Sequence, residues 1–260
     1  MNATQIKTSL FSLTLLAGAT FSAGVVQAAD LTSKEVVEAK LTHVFIPREG
    51  FDDNDNVQAV IRGELPNACY SVGQAVFSVD AEKKLVQVAQ TAILDRGGVC
   101  ADPANLPPDL SQPIPFVREL NFGSLQAADY NIVYQTAAGE KLRSFHVGFA
   151  PTNTVDSARY ALITNAFAQD VVERASGALE FRITGYINSS CAELSQFVVE
   201  KLDDVYVLLP KVQVKGDYCL PVNKPFYRTV TLEAPEAGFY LLHARSLAGQ
   251  SANKVFQVTE

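Results

Sequence analysis

The sharpest cluster of potential ligands in this sequence is the acidic and amide-rich run Asp52-Asp53-Asn54-Asp55-Asn56. Calcium takes six to eight oxygen ligands, and carboxylate and amide side chains that alternate in a loop supply several of them. The run therefore indicates a calcium site. The favoured alternative is a solvated turn between two strands, because Asp and Asn suit turns without any metal. Apart from calcium at this run, no cofactor is expected.

The same run resembles the Asp-x-Asn-Asp-Asn calcium motif of cadherins, and Leu94-Asp95-Arg96-Gly97 is similar to their Leu-Asp-Arg-Glu element. Gly97 replaces the acid of that element, and the two elements occur in reversed order along this chain. The resemblance implies an alternative function, namely calcium-dependent adhesion or glycan binding through the acidic run.

A proline-rich segment between Cys100 and Phe116 is a second candidate for binding. Its prolines are Pro103, Pro107, Pro108, Pro113 and Pro115. Prolines stiffen a loop towards polyproline geometry, which lowers the entropy that the loop loses when it docks on a partner. The favoured alternative is a loop that packs on its own domain or covers a sheet edge.

Groups suited to catalysis are sparse. The three histidines, His43, His146 and His243, lie in or beside apolar strand-like segments, where histidine is usually structural. The sequence has no GxSxG motif and no glycine-rich phosphate loop. We therefore expect no catalytic activity. An extracytoplasmic hydrolase is the least favoured alternative, because the paired carboxylates of glycosidases meet in space and leave no fixed sequence spacing.

The segments that must position these residues occur twice. A shift of 122 positions aligns residues 36–79 with residues 158–201 without a gap, which indicates an internal duplication. Identical pairs in this alignment include Thr42 and Thr164, Phe45 and Phe167, Ile61 and Ile183, Gly63 and Gly185, Cys69 and Cys191, Gln74 and Gln196, and Val76 and Val198. The second copy lacks the acidic run, so a calcium site would belong to the first copy alone.

The four cysteines fall two to a copy. Of the three possible pairings, the duplication selects Cys69 with Cys100 and Cys191 with Cys219. Disulfides are the default state of cysteines in an exported chain. A zinc site does not fit, because the sequence contains no CxxC or HxxxH pair.

Each copy consists of short segments in which apolar and polar residues alternate between turn residues. Such alternation predicts strands with one buried face and one solvated face, as in residues 57–62 and 179–184. Hairpins are predicted with turns at residues 80–84 and 202–204. Six or seven strands per copy predict an all-β fold of two tandem antiparallel β-sandwich domains, although closed barrels fit this strand count nearly as well. The predicted disulfide favours the sandwich, because it links the start of one hairpin to a point beyond its return strand. The domains should span residues 29–151 and 155–260 and touch each other, because the linker is short.

The framework positions of the two copies resemble a small module of exported bacterial proteins. They are Gly63, Leu65-Pro66, Cys69, Cys100, Pro115-Phe116, Leu120 and Tyr130, echoed by Gly185, Cys191, Cys219, Pro225-Phe226, Val230 and Tyr240. The resemblance implies an immunoglobulin-like fold and assigns no activity. The chain lacks tryptophan, so it is not an antibody-type domain. Pilus chaperones are similar in domain number and export, but the acidic balance here argues against their basic cleft.

Residues 1–28 are typical of a cleaved secretory signal peptide. They contain Lys7, an apolar stretch over residues 10–26 and the small-residue cleavage pattern Val26-Gln27-Ala28. A membrane anchor is disfavoured, because Ser, Thr and Gly interrupt the apolar stretch. No later apolar run is long enough to span a membrane as a helix, so no transmembrane segment is expected in the mature chain.

Removal of Lys7, the one charged residue of this leader, changes the net charge from −7 to −8. Dispersed negative charge disfavours nucleic acid as a partner. The sequence thus predicts a periplasmic or secreted, non-catalytic binding, interaction or structural module of the cell envelope. Its expected partner is another envelope or extracellular protein or polymer.

Overall fold

The computed structural model describes residues 34–151, 153, 159–173 and 177–260. Contacts group Ser33–Glu260 into one compact unit. The predicted signal peptide, residues 1–28, lies outside the described residues, as do Thr152 and Thr154 of the predicted linker. In the described ranges the chain forms 17 β-strands and no α-helix, so the fold is all-β as predicted. None of the helices among these residues is long and apolar enough to cross a membrane.

The first half of the unit contains nine strands. They are β1 (Lys34–Ala39), β2 (Leu41–Phe45), β3 (Phe51–Asp52), β4 (Val57–Leu65), β5 (Tyr70–Asp80), β6 (Leu85–Asp95), β7 (Ile114–Gly123), β8 (Ala128–Thr136) and β9 (Gly139–Gly148). A short 3-10 helix, Gly98–Ala101, lies between β6 and β7.

The second half contains eight strands. They are β10 (Leu162–Phe167), β11 (Val171–Glu173), β12 (Ala178–Ser189), β13 (Ala192–Leu202), β14 (Val205–Val214), β15 (Pro221–Glu233), β16 (Gly238–Arg245) and β17 (Ser251–Thr259). A second 3-10 helix, Leu247–Gly249, precedes β17.

The strands of each half form two sheets in the same pairing order. The first half has a three-stranded sheet, β2-β4-β7, and a six-stranded sheet, β1-β6-β8-β9-β3, in which β5 also pairs with β6. The second half has the corresponding sheets β10-β12-β15 and β11-β17-β16-β14-β13. Tyr160, which aligns with Glu38 of β1, forms a bridge to Lys211 of β14. An apolar core lies between the two sheets of each half, which is consistent with β-sandwiches.

Most strand pairs are antiparallel, but four are parallel: β3 with β9, β6 with β8, β11 with β17, and β14 with β16. The sequence analysis predicted purely antiparallel sheets. The alternation of apolar residues identifies the buried face of a strand but carries no information about the direction of its neighbour. Each parallel pair joins strands that are separated along the chain by at least one other strand.

The two predicted hairpins are confirmed. Asp80 at the end of β5 pairs with Leu85 at the start of β6, and Leu202 pairs with Val205 in the same way. Lys84 and Asp203 adopt positive φ angles of 53° and 59° in these turns.

Both predicted disulfides are also confirmed, Cys69–Cys100 and Cys191–Cys219. They are compatible with a location outside the cytoplasm. The first links the residue before β5 to the 3-10 helix after β6. The second links the residue before β13 to the segment between β14 and β15.

Two glycines that the alignment pairs occupy the same structural position. Gly63 in β4 lies opposite Phe116 in β7, and Gly185 in β12 lies opposite Phe226 in β15. A Cβ atom on Gly63 would lie 2.4 Å from Cζ of Phe116, and one on Gly185 would lie 2.9 Å from Cζ of Phe226. Each aromatic ring therefore fills the space that a side chain at the glycine would need.

A third apolar cluster joins the two halves. Its buried members are Phe45 and Val60 from the first half and Val205, Val207 and Leu241 from the second. The prediction that one face of β4 is solvated is therefore wrong. Val60 is 1% exposed and Arg62 is 9% exposed, because the second half covers them. The equivalent face of β12 has no such cover, and there the predicted alternation holds over Ala178–Ser189.

Candidate functional site

Charged side chains border the apolar contact between the halves. Arg143 of β9 pairs with Asp204, and its Nη1 donates to Asp204 Oδ2 over 2.8 Å. The Arg62 guanidinium lies 3.8 Å above the ring centre of Phe239, within cation–π range. Both contacts cross from one half to the other, so the contact is specified by polar groups as well as by apolar packing.

The predicted calcium run forms the turn between β3 and β4. Asp55 is 2% exposed, and its Oδ2 accepts a hydrogen bond from the Asp52 amide over 3.0 Å and an ion pair from Arg245 of the second half. Asp53 Oδ1 accepts from the Ala150 amide over 2.9 Å. The run thus connects β3 to the end of the first half and to the second half.

No group of three or more His, Cys, Asp or Glu side chains in the described ranges is arranged to hold a metal ion. Asp55, the most buried residue of the run, forms an ion pair with Arg245. The calcium site over residues 52–56 stays a prediction. The stretch of the second copy that aligns with it includes residues 174–176, which lie outside the described residues.

The proline-rich segment is bound to its own half. The Ala68 amide donates to the carbonyl of Leu110 over 2.9 Å, and Asn67 Nδ2 donates to the carbonyl of Pro103 over 3.3 Å. Pro103 is half-buried, whereas Pro107, Pro108, Pro113 and Pro115 are exposed. This arrangement agrees with a loop packed on its own domain, and partner binding by the prolines stays a prediction.

His146 is the most exposed of the three histidines. His146 is half-exposed and its Nδ1 lies 2.7 Å from Asp129 Oδ1, across the β8–β9 pair. Ser144, two residues before it, donates to Asn131 rather than to the imidazole, over 2.7 Å. The contacts His146–Asp129 and Ser144–Asn131 therefore each cross from β9 to β8. Ser144 and His146 do not form a nucleophile–base pair.

A cleft of about 300 Å³ opens where the two halves meet. The first half contributes Glu49, Phe51 and Asp52, and the second contributes Tyr160, Glu200, His243 and Arg245, together with an apolar wall from β13 and β14. This volume is at the lower end of the range for small-ligand sites. We refer to this space as the cleft.

Asp52 ends the two-residue strand β3, which positions it at the cleft wall. The pKa of its carboxyl is raised, first by burial and then by the neighbouring Asp55 charge, while Arg245 acts in the opposite direction. No hydrogen bond or ion pair joins its side chain to another described residue. Asp52 is thus a partly buried carboxylate that is available to a ligand.

His243 is held in one tautomer by a chain of hydrogen bonds. Ser251 Oγ donates to Gln58 Oε1 in the first half, and Asn253 Nδ2 donates to Ser251 Oγ over 2.9 Å. Asn253 therefore presents Oδ1 to His243 Nδ1, at 2.8 Å. An amide oxygen only accepts, so Nδ1 carries the proton and Nε2 carries the lone pair. Burial lowers the pKa of His243 to about 4, which keeps the ring neutral near pH 7.

Arg245 is committed to the first half. Its Nη1 donates to the carbonyl of Gly50 over 2.6 Å, and its Nη2 pairs with Asp55. The guanidinium carbon also lies 5.6 Å from the ring centre of Phe51. Its charge is therefore balanced by Asp55, and its donors hold the floor of the cleft in place.

Comparison with known proteins found no match. Neither a protein-family model nor a curated sequence nor a solved structure is similar to this chain.

The sequence predicted Asp52 as a calcium ligand and His243 as a structural histidine, and it gave no signal for Glu49, Glu200 or Arg245. The residues from the first half lie about 150 or more positions from those of the second half. No sequence motif joins the two groups, so only the packing of the two halves reveals the cleft.

Proposed function

We propose that this chain is a non-catalytic, exported binding module of the cell envelope and that the cleft is its ligand site. In this proposal the two halves are tandem, duplicated immunoglobulin-like domains spanning residues 29–151 and 155–260. The identical pairing order of the two halves and the equivalent glycine–phenylalanine contacts support a duplicated origin.

One observation carries the proposal. The cleft is lined by both halves, and Arg245 and Asp55 cross between the halves beside it. A buried ion pair with a further bond to Gly50 holds the two walls at a defined distance. A preformed cavity loses little entropy when it binds a ligand, which is the property that a binding module needs.

The test is site-specific photo-crosslinking in the native envelope. A photoreactive apolar amino acid replaces Leu209, in the apolar wall of the cleft, and in a separate variant it replaces the exposed Glu82, in the β5–β6 turn. We expect an adduct, detected by mass spectrometry of the purified protein, from position 209 and not from position 82. Equal labelling at both positions, or none at position 209 in a folded protein, would contradict the proposal.

A further inference from the structure

Building on the proposed function of the cleft, we infer that its ligand is an organic cation, specifically an ammonium or guanidinium group on a short apolar stem. The inference rests on the charge of the cleft, on the polarity of its hydrogen-bonding groups and on its apolar wall.

The charge of the cleft is negative and unbalanced. Glu49, Asp52 and Glu200 all line it, and no hydrogen bond or ion pair joins any of these three carboxylates to another residue of the described chain. The one cationic side chain in the wall, Arg245, is already paired with Asp55. A positively charged ligand would supply the missing counter-charge.

The carboxylates and the imidazole of the cleft offer hydrogen-bond acceptors. The three carboxylates accept hydrogen bonds only, and His243, which is 3% exposed, has Nε2 as its remaining ring nitrogen because Nδ1 is bonded to Asn253. In the neutral ring Nε2 also accepts. The guanidinium of Arg245 is directed at Gly50 and Asp55. A ligand that donates therefore matches these groups, and ammonium and guanidinium groups donate with several N–H bonds each.

The cleft also has room for a hydrocarbon stem. Leu202, Val207 and Leu209 of β13 and β14 form its apolar wall, and Phe51 contributes an aromatic ring. Alkyl stems of lysine and arginine cover such surfaces while their charged ends contact polar groups. An aromatic ring in the wall additionally favours a cation over a neutral group of the same shape.

A metal ion fits this site less well than an organic cation. An ion requires several ligands around one point, and among the described residues no three acidic, histidine or cysteine side chains have that arrangement. A ligand with several N–H groups on a stem can instead reach acceptors that lie on different walls of the cleft.

The test is an NMR titration of the whole mature protein, labelled with ¹⁵N, against matched probes. The cationic probes are n-butylammonium, n-butylguanidinium and the N-acetyl amides of lysine and arginine. The neutral and anionic counterparts are N-acetyl-norleucine amide and pentanoate. We expect the cations to shift backbone amides of residues 49–52 and 200–209, with the neutral and anionic probes about tenfold or more weaker. Tighter binding of the amino acid amides than of the simple cations would indicate a polypeptide side chain as the natural ligand, and the reverse would indicate a free amine or guanidine.

Three variants sharpen the test. Asp52→Asn and Glu200→Gln each remove one charge from the cleft, and we expect each to weaken cation binding by about tenfold. Glu82→Gln makes the same chemical change at an exposed turn outside the cleft and should leave the affinity unchanged. A long-range ¹⁵N spectrum should show His243 protonated at Nδ1 and should show its Nε2 signal move when a cation binds.

Equal binding of norleucine amide and lysine amide would overturn the inference of a cation but preserve a binding cleft. Shifts produced by calcium or zinc ions alone would replace the organic cation by a metal. If no probe shifts the cleft at millimolar concentration, the inference is wrong, and the crosslinking at position 209, which leaves all three carboxylates in place, decides the proposed function independently.

Discussion

Two histidines, one from each half, lie at the contact between the halves: His43 is half-buried and His243 is buried. His43 stacks on Phe45 with ring centres 5.5 Å apart and meets Phe239 of the second half at 5.1 Å. Its pKa is lowered, first by burial and then by Arg62. His243 is more deeply buried, and its pKa falls to about 4. Near pH 7 the lowered pKa values favour the neutral form of both rings, so protonation and the contact between the halves oppose each other.

We predict that the protein loses stability as the pH falls from about 6.5 to 4. In this window the unfolded chain binds a proton at His243 and the folded protein does not, so the free energy of unfolding decreases with falling pH by about 1.4 kcal/mol per pH unit for this group. The loss totals about 3 kcal/mol at pH 4, and His43 adds in the same direction. Urea denaturation at several pH values measures it, and the His243→Gln variant should show a smaller slope. An equal slope in both proteins would show that other groups cause the dependence.

The Asp55–Arg245 pair gives a second prediction at the residue scale. The two side chains are 2% and 14% exposed, so Asp55→Asn leaves a buried guanidinium without its counter-charge and should reduce the free energy of unfolding by about 3 kcal/mol. The matched control is Glu193→Gln, which removes an exposed pair with Lys215 and should have no measurable effect. Similar effects of both changes in urea denaturation would contradict this assignment.

The calcium site predicted at residues 52–56 has its own test. If calcium raises the melting temperature, and Asp53→Ala with Asp55→Ala abolishes that rise, the run is a calcium site.

At the scale of elements, aligned residues of the two copies form equivalent hydrogen bonds. Thr42 Oγ1 donates to the carbonyl of Arg62 over 3.1 Å, and Thr164 Oγ1 donates to the carbonyl of Thr184 over 3.2 Å. These bonds accompany an irregularity in the strand pairing, which falls after Leu41 in β2 and after Ile163 in β10. The shared residues therefore preserve how the first strand of each small sheet pairs with the second.

Gly185 tests this equivalence. A Cβ atom there would lie 2.1 Å from the carbonyl oxygen of Leu162 in the neighbouring strand and 2.9 Å from Cζ of Phe226, so Gly185→Ala must displace both β10 and the Phe226 ring. We expect a loss of about 2 kcal/mol or more in urea denaturation. Gly238→Ala is the control, because its Cβ would meet Tyr240 at an ordinary contact distance of 3.5 Å. Equal stability of the two variants would refute the close approach of β10 and β12.

At the scale of the whole molecule, the small sheet of the first half packs its outer face against the large sheet of the second. Apolar residues on β2 and β4 meet residues on β14 and β16 across this contact. As a result β14 is buried on both faces over residues 205–208. The two halves share an apolar interface and are expected to unfold together.

Leu241 is fully buried in this shared cluster. Truncation by Leu241→Ala removes its apolar contacts with the first half and should cost about 3 kcal/mol. We also expect calorimetry to show one transition for the unaltered protein and a broader or divided transition for the variant, because the coupling between the halves weakens. Val171→Ala, at a position that is 54% exposed, is the control and should leave the transition unchanged. Two separate transitions in the unaltered protein would show that the halves unfold independently.

Much of the local structure could be predicted from the sequence. Turn residues and alternating segments are local signals, so both hairpins were placed correctly, and the aligned cysteines identified both disulfides. The turn at the acidic run was predicted for the same reason, but its solvation was not correct, because Asp55 is buried against Arg245 of the second half. These features depend on residues that are near each other in sequence or that recur at a constant spacing.

The direction of strand pairing, the burial of the second face of β4 and the cleft were decided by the tertiary structure. Val60 and Arg62 read as one apolar and one polar residue on a solvated face, and only the second half buries them. Asp52 and His243 are 191 positions apart, and no periodicity relates them. The physical reason is that strand alternation specifies which side chains share a face, whereas the partner of that face is selected by the packing of whole sheets.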